Sequence, residues 1–117
     1  DDFFLKLKIA QLLLSYKKYD ELLQFLGEPV DFTAENPAIQ KIIVEALLNT
    51  NQLDRANALI QHHRLSNDSE WILLLGKYSL LGGSYTNAIS HFERALEKRK
   101  DDPNAYYMLA LAYIAGD

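Results

Sequence analysis

The stretch that decides the fold runs from Trp71 to Ala115: Trp71-Ile-Leu-Leu-Leu-Gly-Lys-Tyr78, a turn at Gly82-Gly83, then Ala88, Phe92 and Ala95, and finally Tyr106-Tyr-Met-Leu-Ala-Leu-Ala-Tyr113. Trp71, Leu74, Leu75 and Tyr78 fall at i, i+3, i+4 and i+7, which places them on one face of a helix. Ala88, Phe92 and Ala95 repeat that logic on a second helix, with small residues where two helices must come close. The same face returns 35 residues after Trp71 as Tyr106, Leu109, Ala110 and Tyr113. An internal repeat of this length predicts an array of helix–turn–helix units.

Working outward, the pattern continues toward the N-terminus. Lys6, Gln40, Trp71 and Tyr106 form one series, and Leu13, Leu47, Tyr78 and Tyr113 another; both give spacings of 34, 31 and 35 residues. Helices are expected over 2–16, 19–26, 37–49, 53–63, 69–81, 84–100 and 103–115. The punctuation agrees. Lys17-Lys18 and Thr50-Asn51-Gln52 make turns, with Asn51 suited to a left-handed conformation. Gly27 stops the second helix, Glu28-Pro29 forbids its continuation and 30–35 reads as a loop. Asn36-Pro37 and Asp102-Pro103 read as caps followed by proline at the first helical position, and Asp68 or Ser66 caps the fifth helix. Strand-type alternation is absent over any useful length, so the class is all-α. The repeats fall at about 3–36, 37–67, 68–102 and, in part, 103–117, within a single domain spanning 1–117.

This arrangement resembles the tetratricopeptide repeat family: an aromatic, Leu, a small residue and Tyr on the first helix, and Ala, Phe and Ala on the second. Leu75 sits where the family has Gly, Gly82-Gly83 makes the turn one residue longer, and Pro103 lies later than the usual proline. The resemblance implies a right-handed α-solenoid of antiparallel hairpins, stable because stacked units share a core. It also implies a protein-interaction or scaffolding role, with first-helix residues lining a concave groove. Carried over, that groove is lined by Leu7, Gln11 and Leu14, then Lys41, Glu45, Leu48 and Asn49, then Ile72, Gly76, Ser79 and Leu80, and lastly Tyr107, Leu111 and Ile114. Where some members hold a carboxylate clamp, this chain has Leu7, Gln11, Ile42, Ser69 and Leu73, so an apolar peptide or amphipathic helix is the expected partner.

Composition limits the alternatives. Hydrophobic residues make up 49% of 117, too many for a disordered chain. A net charge of −4 argues against nucleic acid, whose affinity leans on phosphate neutralisation. With no cysteine there is neither disulfide nor thiolate metal site, and the compartment stays open between cytoplasm and periplasm. No run reaches the length of a membrane span. The chain begins at Asp1 and stops at Asp117, where a partner for the last helix is expected, so a segment of a longer protein is the expectation.

Chemistry-bearing residues do not assemble into a catalytic pattern. His62 and His63 are adjacent and point about 100° apart on a helix, and His91 has no carboxylates repeating around it, so no metal is expected. His63 suits packing or capping near a helix end. No serine sits in a nucleophile elbow, and Gly76 with Gly82-Gly83 makes no phosphate loop. Asn67-Asp68-Ser69 fits a glycosylation sequon, but a helix cap explains the same residues. Neither an enzyme nor a cofactor is expected. The first helix is apolar nearly all round, with Phe3, Phe4 and Leu5 at its start. It predicts cover by a preceding repeat, a neighbouring domain or a second copy, or else a helix whose apolar surface lines the groove. A structural spacer or dimerisation segment of a larger assembly, such as a secretion, pilus or cytochrome-assembly factor, is therefore the alternative role. A helper domain for an enzyme encoded elsewhere in the full chain is another.

Overall fold

The computed structural model of the chain describes residues 2–27 and 36–116; the expected loop over 30–35 lies outside them. Seven α-helices follow one another: α1 Phe3–Ser15, α2 Tyr19–Leu26, α3 Pro37–Asn49, α4 Leu53–Ile60, α5 Ser69–Leu81, α6 Tyr85–Lys98 and α7 Pro103–Ala115. No strand occurs among the described residues. Three helices differ from expectation at their ends, α1 running from Phe3 to Ser15 and α6 beginning at Tyr85. A short 3-10 turn, Gln61–His63, tightens the end of α4, and α6 closes at Lys98 instead of Lys100.

The first helix of every pair is built alike. An Asx residue caps each: Asp2 accepts from the Leu5 amide, Asn36 from Ala38, Asp68 from Glu70 and Asp102 from Asn104. Each of these helices is 13 residues long. Three of them close on the same left-handed turn, with φ of 59° at Lys17, 58° at Asn51 and 84° at Gly83. In each, the next amide reaches back to the helix: Lys18 to Leu13, Gln52 to Leu47 and Ser84 to Ser79, at 2.8–2.9 Å.

Caps and turns together put the repeat spacings at 34, 32 and 34, from Asp2 through Asn36 and Asp68 to Asp102. This corrects the register of the third repeat by one residue. The partner of Tyr106 in α5 is Ile72, and that of Ala110 is Gly76. The glycine that the family pattern wants is therefore present, and Gly82-Gly83 does not lengthen the turn. Trp71 corresponds to Ala105; both are buried, whereas Tyr106 is 54% exposed.

The chain forms two compact units, Asp1–Gln52 and Leu53–Asp117. Their boundary falls inside the second repeat, after its turn. In the first unit, α1 and α2 make a hairpin and α3 packs on both. Its core holds Ala10, Leu22, Ile42 and Ala46, with Leu7, Leu13, Leu14, Tyr19, Leu23 and Leu26 against them. In the second unit, α4 packs on α5, the hairpin α5–α6 follows, and α7 packs on α6 and α5. There Ala88, Phe92 and Ala112 form the centre, backed by Leu73, Leu80, Ile89, Met108 and Leu109. Each unit thus repeats the packing of an α-solenoid, in which a new first helix covers the preceding hairpin.

Small residues set the crossings, as expected for Ala88 and Ala95; these two, with Ala10 and Ala56, are all buried. Ala110 does not join them; it is exposed, and Ala105 and Ala112 take the buried places on α7. At Gly76 a Cβ would lie 2.4 Å from Cε1 of Phe92, so α5 and α6 approach there as only glycine permits.

Candidate functional site

Corrected register sorts the first-helix side chains into three environments. The first is interior. Leu48 and Ile72, expected to line a groove, are 3% and 0% exposed, and Gly76 is buried beneath Phe92. For Ile72 and Gly76 the cause is the one-residue shift, which moves them from the lining series to the packing series. The residues that take their places are Leu73 and Lys77, which sequence reasoning missed. The spacing of the Asx caps carried the signal.

The second environment is half-buried. Leu7 and Leu14 lie against the core of the first unit, and Leu73 and Leu80 against that of the second. Ser79 is also half-buried. The third is open to solvent at least in part: Gln11, Lys41, Glu45 and Asn49 in the first unit, and Lys77, Tyr107, Leu111 and Ile114 in the second. Tyr107 is 62% and Ile114 73% exposed. In this series Asn49 is held locally, its side-chain amide donating to the Glu45 carbonyl at 2.8 Å. Lys41, Glu45 and Lys77 each have partners within the chain.

Two further apolar surfaces are open. On α1, Phe3, Phe4 and Leu5 are 38%, 70% and 55% exposed, with Leu12 on the same helix and Tyr16 at its C-cap also exposed. Lys8 lies over the Phe4 ring, 5.9 Å from its centroid. On α7, Tyr106 and Tyr113 are 54% and 53% exposed. Their hydroxyls are tethered: Tyr106 donates to the Lys100 carbonyl at 2.8 Å and Tyr113 to Oε2 of Glu93 at 3.2 Å. That hydrogen bond and the charge of Glu93 push the Tyr113 phenol above its ordinary range.

The histidines take structural positions. His63 stacks on Trp71, ring centroids 3.7 Å apart and planes within 7°, which ties the 3-10 turn to the start of α5. His91 on α6 buries Nδ1 without a hydrogen-bond partner. Burial, with Arg94 nearby, lowers its pKa below the usual histidine value. No group of three or more His, Cys, Asp or Glu residues among the described residues could hold a metal ion. No described helix is long and apolar enough to cross a membrane.

Comparison with curated proteins and with solved structures gives no match. A family model described as TPR repeat matches residues 80–115, which run from the end of α5 through α6 and α7. Its helix–turn–helix frame coincides with the packing of Phe92 and Ala112 in one core, and repeats of this kind serve generally in protein–protein interaction. Beside the caps and turns shared by the four first helices, the match shows that residues 80–115 are similar to a TPR repeat.

Proposed function

We propose that the protein is an interaction module that binds a partner peptide or amphipathic helix along the open first-helix positions of each unit. The observation that supports this reading is the sorting itself. Neighbouring series on α3 and α5 are buried, while Gln11, Lys41, Glu45, Asn49, Lys77, Tyr107 and Leu111 keep contact with solvent. They combine apolar surface at Tyr107 and Leu111 with polar groups that set register. Because the helices are preformed, the partner alone loses freedom on docking. No reaction is assigned to the chain.

Capture of partners from native extract tests the proposal, comparing the wild type with Tyr107→Ala and Lys77→Glu. Loss of the same partner from both variants, with helicity unchanged, is the expected result. Equal recovery from all three proteins would remove this surface from the function. The exposure of Phe3, Phe4 and Leu5 favours a second reading, in which α1 joins a neighbouring domain, repeat or copy. Phe4→Glu would then lower association while leaving capture through Tyr107 intact.

A further inference from the structure

We draw no further inference here: the strongest candidate, the exposed apolar face of α1 bearing Phe4, Leu5 and Leu12, carries nothing, because Ala46 and Ala112, the equivalents of Leu12, pack on the hairpin before them and nothing in the structure shows what covers this face.

Discussion

Gly76 carries the close approach between α5 and α6, and opposing magnitudes decide what alanine would do there. Alanine improves helix propensity by about 1 kcal/mol. Its Cβ, however, would meet a fully buried Phe92 ring at 2.4 Å, and overpacking of a filled core costs about 1–3 kcal/mol. Gly76→Ala is therefore expected to lower the denaturant midpoint with little change in slope; a raised midpoint would show that the ring yields freely. His91 makes a pH prediction. Its folded pKa is lowered by burial and Arg94, so between that value and about 6.5 the unfolded chain binds more protons. Its contribution is present above about pH 6.5 and is lost as pH falls through the folded pKa. Denaturant midpoints from pH 7 to 5 should fall more steeply for the wild type than for His91→Leu. Parallel curves would place His91 in water.

At the scale of elements, capping is the shared device. Each Asx side chain satisfies an amide that the first turn leaves orphaned, so Asp68→Ala and Asp102→Ala should each cost about 1 kcal/mol. Thermal unfolding followed by circular dichroism checks this, and an unchanged midpoint in both would make the caps incidental. The elements were legible in the sequence because local chemistry sets them. The bounds of α2, α3, α5 and α7 follow from proline, glycine, Asx residues and a 3.6-residue period. The third-repeat register was not legible from apolar periodicity. Trp71 and Ile72 are adjacent apolar residues on a helix buried on more than one side, and the larger one drew the alignment. Asp68 and Gly83 resolve it, since a cap and a left-handed turn occupy single positions while a hydrophobic face spans several. The end of α4 escaped for another reason: its 3-10 turn depends on the stacking of His63 on Trp71, a contact between residues that no local rule pairs.

For the whole molecule, the repeat reading explains which apolar residues each unit buries and which it presents. Composition made an all-helical chain with a shared core legible, but it could not separate Leu48 and Ile72, both buried, from Tyr107, which is open. All three are apolar; only tertiary packing distinguishes them. The account's central claim is that one register position, occupied by Ala10, Val44, Gly76 and Ala110, is buried on α1, α3 and α5 and open on α7 among the described residues. The direct measurement is equilibrium denaturation of Ala10→Leu beside Ala110→Leu, the same substitution at the same repeat position. The account predicts a loss of about 1–3 kcal/mol for the buried Ala10 and a change within about 0.5 kcal/mol for the exposed Ala110. Equal losses at the two sites would contradict it.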